Sequence, residues 1–370
     1  MFRIRIGNAR ALSPPAMLLL IAATVPDVMM AAEQVGPLVE RASRFLATTQ
    51  NEDGSYSSQM GTGITSLVAT GLMLNGRSPQ DPLVADAIAY LARNVQKDGG
   101  IYQAGSRYRN YETCLAMVCF STANRAGQYD QLLQRAEAFV KELQWDEGEG
   151  HDESSTSFGG AGYGKHGRPD LSNVSHLVDA LKAVGNGPDD LAMQRALAFV
   201  SRCQNLETQH NDTAFAAKNP DGGLYYTPAA GGLSQAGTTA SGGLRSYGSM
   251  TYAGLKSMIY AGVGPNDPRV KAAYRWAQNN YSVSENPGMG SSGYYYYLHT
   301  FAKALSAIGE KEIADADGAS HNWRQELIVT LAEQQLEDGS WLNSNERWLE
   351  SDTNLVTAYV LMTLSYCREK

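Results

Sequence analysis

The segment QLEDGSW at residues 335–341 decides the fold, because close copies of it recur earlier in the same chain. QNEDGSY occupies residues 50–56 and QKDGGIY occupies residues 96–102, and in each copy an aromatic residue follows the glutamine by six positions. Each copy follows an amphipathic pattern with apolar residues at helical spacing, as in residues 35–46, and precedes a second, more apolar helical segment. The sequence therefore predicts a helical hairpin that repeats along the chain.

Three degenerate copies fill the interval between the second and the last of these motifs. Their marker glutamines are Gln144, Gln204 and Gln278, and each is followed by a Gly-rich loop and then by an apolar helical segment. The apolar second helices must be buried between neighbours, and neither end of the array carries a polar capping helix. We therefore expect an all-α fold, an α/α toroid of six helical hairpins with the second helices inside, in preference to an open solenoid.

The composition agrees with a globular repeat protein. Of the 370 residues 37 are glycine, and the motifs place glycine where a helix end and a tight turn require positive φ. The formal net charge of −8 excludes a basic nucleic-acid-binding surface as the default. The four cysteines have no metal-binding or redox spacing, and Cys114 and Cys119, on one apolar helix, are expected to be buried thiols.

Residues 1–32 have the pattern of a secretory signal peptide. Three arginines precede an apolar run from Ala16 to Val25, and the small residues Ala31 and Ala32 follow. The run is too short to cross a hydrocarbon core of about 30 Å as a helix. We expect cleavage to leave residues 33–370 as a single exported toroid domain, secreted or periplasmic, without a transmembrane span.

The Gln-x-x-Asp-Gly-Ser-aromatic segments at Gln50 and Gln335 resemble the QW motifs of the squalene and terpenoid cyclases and of the β subunits of protein prenyltransferases. The resemblance to this prenyltransferase/squalene oxidase repeat family covers about residues 35–367. It implies a six-hairpin toroid whose central cavity, near one end of the inner helices, binds an isoprenoid chain. The expected partner is therefore a hydrophobic small molecule, isoprenoid or lipid-like.

The catalytic motifs of the known enzymes in this family are missing. Class II terpenoid cyclases protonate their substrate with the middle Asp of a DxDDTA-type segment, but here the residues before Thr357-Ala358 are TNLV. Protein prenyltransferases hold a catalytic zinc with Asp, Cys and His, and only His299, in the segment LHT, has a counterpart. No metal and no cofactor is therefore expected.

Function is expected at the N-terminal ends of the inner helices, where unpaired backbone N–H groups and loop side chains face the cavity. Carboxylates and imidazoles there are candidates for acid–base work, and aromatic or polar side chains are candidates for ligand contact. The candidate catalytic residues are Glu112, Asp170, His299 and Asp352. The candidate ligand-binding residues are Tyr111, Asn173, His176, Tyr247, Tyr252, Tyr295, Tyr296 and Trp348.

Each candidate also has a purely structural interpretation. Glu112 stands at a helix start, where a carboxylate complements the helix dipole. Asp170 is a candidate N-cap, and His176 is a candidate core residue on an otherwise apolar helix. The tyrosines are candidate interior aromatics with hydrogen-bonded hydroxyls.

Three functions stay open. The first is a toroid that binds a hydrophobic ligand in its cavity, with or without cyclase- or transferase-type turnover. The second is a secreted carbohydrate-active enzyme of the polysaccharide lyase or hydrolase type, which needs paired carboxylates or a basic residue over a groove. The third is a non-catalytic interaction module. A deep apolar cavity favours the first, an open polar groove the second and a filled ring centre the third.

The long loop at residues 207–241 is a candidate lid over one face of the ring.

Overall fold

The structure, a computed structural model, describes residues 24–165 and 167–368, with side chains from residue 35 onward. Most of the predicted signal peptide, residues 1–23, lies outside the described residues. The described residues contain twelve α-helices, and each hairpin contributes one helix to an outer ring and one to an inner ring.

The outer helices are α1 (Thr24–Thr49), α3 (Pro82–Arg93), α5 (Asp130–Glu142), α7 (Leu191–Arg202), α9 (Pro268–Asn279) and α11 (Trp323–Gln334). The inner helices are α2 (Gly63–Leu74), α4 (Arg109–Ala123), α6 (Leu171–Ala183), α8 (Gly248–Tyr260), α10 (Tyr294–Ile308) and α12 (Thr353–Cys367). Two short strands, β1 (Ile313–Ala314) and β2 (Ser320–His321), pair antiparallel before α11, with Ile313 opposite His321.

The ring closes because the last inner helix packs against the first. Helix α12 contacts both α10 and α2, and α1 contacts both α11 and α12. The side-chain amide of Asn75, directly after α2, donates a hydrogen bond of 2.7 Å to the carbonyl of Leu361 in α12. The predicted all-α toroid of six hairpins is therefore confirmed.

Burial separates the two rings as the apolar pattern predicts. In α2 every residue from Gly63 to Met73 is buried, because neighbouring helices cover an inner helix on all sides. In α3 burial is confined to one face of the helix, formed by Val84, Ala87, Ile88, Tyr90 and Leu91. The apolar inner helices thus supply the walls of the ring centre.

The motif glutamine fastens one hairpin to the next. The side-chain amide of Gln50 donates to the carbonyl of Gly54 in its own turn and to that of Leu83 in the next outer helix. Three other repeats make the same pair of bonds through Gln144, Gln204 and Gln335. In these four repeats the glutamine therefore satisfies backbone carbonyls on both sides of the junction.

The Asp-Gly pair of the motif builds the turn that lies against the next outer helix. Asp53 Oδ1 accepts a hydrogen bond of 3.0 Å from the backbone amide of Ser55. Gly54 has a φ of +85°, and a Cβ at this position would lie 2.2 Å from the carbonyl oxygen of Asp86 in α3. Glycine is required here by both the backbone conformation and the close approach. The motif aromatic, Tyr56, is completely buried.

All four cysteines are free and buried, which confirms the expectation for Cys114 and Cys119. Within the described part of the chain, no helix combines the length and the apolar character needed to cross a bilayer.

Candidate functional site

A cavity of about 330 Å³ lies at the N-terminal ends of the inner helices. All six hairpins contribute to its wall, and among the described residues the only carboxylate in that wall is Glu350. Seven tyrosines line it, namely Tyr108, Tyr111, Tyr163, Tyr226, Tyr247, Tyr296 and Tyr359. Six larger apolar side chains line it as well, namely Met60, Ile64, Met250, Trp348, Leu349 and Leu355. The cavity is therefore mainly aromatic and apolar, and its volume is at the lower end of the range of about 300–1,000 Å³ found for ligand pockets.

Five of the predicted ligand-binding residues meet in this wall, although they come from five different hairpins: Tyr111, His176, Tyr247, Tyr296 and Trp348. The ring of His176 packs edge-on against Tyr111 with ring centroids 5.1 Å apart, and it lies 6.1 Å from the ring of Tyr296. The Tyr296 hydroxyl is 3.2 Å from Ser172 Oγ. Burial lowers the pKa of His176 to about 4, so this imidazole is neutral at pH 7.

The structure places the other three predicted ligand contacts outside the cavity wall. Tyr252 is completely buried between helices, with its ring 5.0 Å from that of Phe301. The Tyr295 hydroxyl donates to Gln334 Oε1 at 3.1 Å, which ties α10 to α11. Asn173 donates to the Asp170 carboxylate through both its backbone and its side-chain nitrogen. Tyr252 and Tyr295 thus hold helices together, whereas Asn173 supports the N-terminal cap of its own helix.

Glu112 lies behind the wall and ties the first hairpin to the second. Its Oε2 accepts hydrogen bonds from the backbone amide and the hydroxyl of Thr62, both at 2.9 Å, and from the backbone amide of Gln103 at 3.0 Å. The Ser106 hydroxyl donates to Oε1. With four donors on a buried carboxylate that does not line the cavity, the geometry agrees with the structural interpretation of Glu112.

Asp170 caps helix α6 and is also connected to the cavity through the side chain of Tyr226. Its Oδ1 accepts a hydrogen bond of 3.0 Å from the backbone amide of Asn173 and so caps α6. Burial raises the pKa of Asp170 to about 6, although hydrogen bonds from Asn173 and from the Tyr226 side chain oppose the rise. Because Tyr226 lines the cavity, one phenol separates this acid from the cavity.

Asp352 is the N-cap of α12 and accepts a hydrogen bond of 3.0 Å from the backbone amide of Leu355. The carboxylate that does line the cavity, Glu350, stands two residues earlier in the α11–α12 loop and was not predicted.

Glu350 caps a helix of the neighbouring hairpin. Its Oε1 accepts a hydrogen bond of 2.8 Å from the backbone amide of Tyr296, and its Oε2 accepts bonds from the backbone amide of Tyr295 and from Asn343 Nδ2. The carboxylate therefore lies at the positive N-terminal end of α10. Burial raises the pKa of Glu350, while these hydrogen bonds oppose the rise.

Two residues directly before Glu350 have unusual backbone conformations. Trp348 and Leu349 have φ values of 57° and 66°, in the left-handed region that residues with a Cβ seldom adopt. Gly293 leaves room for the indole, since a Cβ there would lie 2.9 Å from Trp348 Cε3. Strain of this kind clusters at ligand sites, and here Trp348 and Leu349 line the cavity wall together with Glu350.

The predicted lid, residues 207–241, contributes to the wall through Tyr226. Arg347 Nη2 donates a hydrogen bond of 2.5 Å to Gln235 Oε1, so this segment meets the α11–α12 loop. The α7–α8 connection and the α11–α12 connection are thus in contact on this side of the ring.

His299, the last predicted catalytic residue, lies deeper in the ring. It lines a second void of about 20 Å³, and His176 and Tyr359 line both this void and the cavity above it. Its ring is stacked on that of Tyr359 with centroids 6.1 Å apart, and its Nδ1 has no hydrogen-bond partner. Burial holds the pKa of His299 well below its usual range. In the described ranges, no group of three or more His, Cys, Asp or Glu side chains is arranged to hold a metal ion.

Sequence reasoning missed four of the seven tyrosines. Tyr226 directly follows the motif aromatic of the fourth repeat, Tyr225, and Tyr359 lies in the second turn of α12. Tyr108 and Tyr163 stand in Gly-rich or polar loops without a periodic pattern. A search for aromatics directly beside each motif would have found Tyr226, and a search for aromatics in the first two turns of each inner helix would have found Tyr359.

The chain resembles known toroids in sequence and in structure. The family model of the squalene-hopene cyclase C-terminal domain matches residues 62–226. A variant of the type II terpene cyclase MstE from Scytonema in its apo form has a TM-score of 0.57 at 13% identity, covering 91% of this chain and 98% of that one. The predicted resemblance to the squalene and terpenoid cyclases is therefore confirmed.

Glycosidases share the same architecture. A glycosidase variant has a TM-score of 0.52 at 11% identity, covering 91% of this chain and 98% of that one. The glycosyl hydrolase family 88 protein of Bacteroides vulgatus has a TM-score of 0.50 at 10% identity, covering 90% of this chain and 98% of that one. No curated protein sequence matches this chain significantly. At these identities the likeness establishes the toroid fold alone.

Proposed function

We propose that this protein binds a hydrophobic isoprenoid or lipid-like ligand in its central cavity. The observation that carries the proposal is the wall itself, in which seven tyrosines and six large apolar side chains enclose about 330 Å³. A wall of this kind favours hydrophobic ligands, because the transfer of their apolar surface from water into the cavity is favourable. The few polar groups in the wall can orient such a ligand. Five large side chains at the cavity are also exposed at its mouth, namely Met60, Tyr108, Tyr163, Trp348 and Leu349, which suits the entry of an apolar molecule.

We propose further that the cavity supports cyclase-type turnover without the DxDD acid. Asp170 is the proton source in this proposal, because its raised pKa, about 6, leaves a protonated fraction near neutral pH. The proton passes to the cavity through Tyr226, whose hydroxyl gives up its own proton as it receives one from Asp170. Tyrosine faces then stabilise the carbocation that forms on an isoprenoid alkene. A second alkene of the substrate attacks this cation and closes a ring. The resulting cation gives a proton to the Tyr226 oxygen as the hydroxyl proton of Tyr226 returns to the Asp170 carboxylate, so the acid is regenerated and a cyclised isomer of the substrate remains.

Glu350 has a different role in this proposal. As the only carboxylate in the wall, it places a negative charge where a ligand cation would form, and its fixed hydrogen bonds to α10 keep it there. The cyclase MstE, in a complex of one of its variants, binds geranylgeranyl dihydroxybenzoate as its substrate. This substrate is an isoprenoid of the class proposed here.

A carbohydrate-active role is the second candidate, favoured by the fold shared with glycosidases. Glycoside hydrolysis uses two carboxyl groups about 5–9.5 Å apart on either side of the scissile bond. The wall offers one carboxylate, Glu350, and Asp170 lies behind Tyr226. The site therefore supports this role less well.

Fluorescence titration with farnesol, geranylgeraniol and squalene tests ligand binding, because Trp348 is the only tryptophan in the cavity wall. We expect a saturable change in tryptophan emission that Trp348→Phe removes, while calorimetry still reports binding to that variant. No saturable change with any isoprenoid, together with binding of oligosaccharides, would favour the second candidate.

Product analysis tests turnover. We expect cyclised products of unchanged mass, and a loss of rate of about 10²–10⁴-fold in Tyr226→Phe, which keeps the ring but removes the hydroxyl. Tyr108→Phe, at the exposed rim, is the matched control and should keep its rate. Equal rates in the two variants would contradict the proton route.

We also propose that the chain is exported and cleaved near Ala32. The support is the sequence pattern of residues 1–32, and a chain that begins at residue 33 keeps the first described buried side chain, Val35. Cell fractionation with N-terminal sequencing of the mature protein tests this. Recovery of the intact N-terminus in the cytoplasm would contradict it.

A further inference from the structure

A cluster of buried charges lies below the cavity, beside the small void. The Asp179 carboxylate contacts Lys256 Nζ at 2.7 Å and Lys303 Nζ at 2.6 Å. The side chains of Lys256 and Lys303 are only 2% and 10% exposed. Two ammonium groups thus share one carboxylate in the interior of the ring.

The other titratable groups around the cluster supply no second negative charge. Burial lowers the pKa of His176 and of His299, so both rings are neutral at pH 7. Burial raises the pKa of Tyr260, Tyr366 and Cys114, so these groups keep their protons. Burial lowers the pKa of Lys256 to about 8, so this ammonium is still mainly protonated at pH 7. Among the described residues, the cluster therefore carries one uncompensated positive charge at pH 7, and a buried charge without a partner is costly.

One of the polar side chains that line the void next to the cluster has a ring nitrogen without a hydrogen-bond partner. Lys303, Asp179 and His299 line it together with apolar side chains from the inner helices. His299 is 5% exposed and its Nδ1 has no partner, although a neutral imidazole always carries one N–H donor. A space of about 20 Å³ admits a single water-sized species.

We propose that this void binds one small monoatomic anion of the halide class, held by the Lys303 ammonium and the His299 imidazole. The anion supplies the negative charge that the cluster lacks, and it accepts a hydrogen bond from His299 in the tautomer that carries its proton on Nδ1. The size of the void excludes polyatomic anions such as phosphate or a ligand carboxylate. The site is separate from the cavity, and it does not depend on the function proposed above.

Crystals grown in sodium bromide test the site directly through anomalous diffraction. We expect one anomalous peak between Lys303 Nζ and the His299 ring. In solution, replacing gluconate with chloride or bromide at constant ionic strength should raise the melting temperature of the full chain in a saturable manner, because an anion that binds only the folded state stabilises it.

Substitutions separate this site from surface binding of halide. Lys303→Met removes the positive charge and should abolish the halide-dependent rise in melting temperature, and His299→Phe should abolish it through loss of the donor. Lys182→Met, at an exposed position of α6, is the matched control and should keep the rise. If Lys303→Met does not fold, His299→Phe and the anomalous map decide the question. Bromide peaks at surface positions only, or a melting temperature independent of halide in the wild type, would overturn the proposal.

Discussion

The side-chain amide of Gln335 donates a hydrogen bond of 3.1 Å to the carbonyl of Leu38, and this bond joins the sixth hairpin to the first. The same amide donates to the carbonyl of Gly339 at 2.9 Å, so Gln335 repeats across the closing seam the pair of bonds made by Gln50. At the other junctions the chain itself connects the hairpins. At this seam side chains and helix packing must hold the ring closed.

Gln335→Leu is therefore expected to destabilise the protein. The substitution leaves the carbonyls of Leu38 and Gly339 without their donor, at a cost of about 1–3 kcal/mol. Denaturant unfolding measures the loss. Gln80→Leu, at an exposed position of the α2–α3 connection, should change the free energy of unfolding by about 0.5 kcal/mol or less. Equal effects of the two substitutions would show that the seam does not depend on Gln335.

Gly159→Ala should be more damaging than Gly185→Ala, although both glycines have positive φ. At Gly185, with φ +97°, no atom lies within 4 Å of an added Cβ. Strain alone then costs about 1–2 kcal/mol. At Gly159, with φ +75°, the Cβ would lie 1.7 Å from the carbonyl oxygen of Arg195, so α7 must move. Melting temperatures of the two variants test the difference, and equal values would contradict the close approach.

Asp170 should make the folded state less stable as the pH rises from about 4 to about 6. The pKa of this carboxyl is raised by burial from 3.8 to about 6, so the folded state binds the proton more tightly within that window. This contribution to the stability is fully present at low pH and is lost as the pH rises through the pKa of the folded state. Above that pKa the ionisation of Asp170 changes the stability no further. Two pKa units correspond to about 3 kcal/mol.

The comparison with Asp170→Asn isolates this effect, because asparagine can still cap α6. The stability of the wild type relative to the variant should fall by up to about 3 kcal/mol between about pH 4 and about pH 7. Denaturant midpoints across the range give this difference. A constant difference between the two proteins would show that Asp170 does not titrate in this way.

Glu350→Gln should weaken binding of a cationic isoprenoid more than binding of a neutral one. The substitution removes the negative charge from the cavity wall but keeps the size of the side chain. We expect about a tenfold or greater loss of affinity for an isoprenoid tertiary amine and a smaller change for the matching alcohol. Glu346→Gln, exposed in the same loop, is the control and should change neither affinity. Equal losses for amine and alcohol would assign Glu350 a purely structural role.

The fold could be predicted from the sequence because every part of the motif has a local task that repeats. In four of the six repeats the glutamine bonds to the next outer helix, while the Asp-Gly pair makes the turn and the aromatic fills the core, so even degenerate copies were recognisable. Gln96 shows the tolerance of the pattern, since it bonds to the carbonyls of Asn94 and Tyr102 and still marks its hairpin.

The site was only partly predictable, because it depends on contacts between hairpins. Position near the start of an inner helix correctly predicted that Tyr111, His176 and Tyr296 lie in the wall. The same criterion also selected Tyr252, Tyr295 and Asn173, which lie outside it. Glu350 lies in a loop, and its partners are backbone amides of α10 more than fifty residues earlier. Nothing local distinguished it from Asp352, which caps its own helix.

The central claim is that the tyrosine-lined cavity is the ligand site, and calorimetric titration of geranylgeraniol into the wild type and Ile64→Trp tests it most directly. Ile64 lines the cavity, and the larger indole should fill part of it. The account predicts saturable binding to the wild type, a loss of affinity of at least about tenfold in Ile64→Trp, and unchanged affinity in Leu191→Trp on the exposed surface. Equal affinities in all three proteins, or no binding to the wild type, would contradict it.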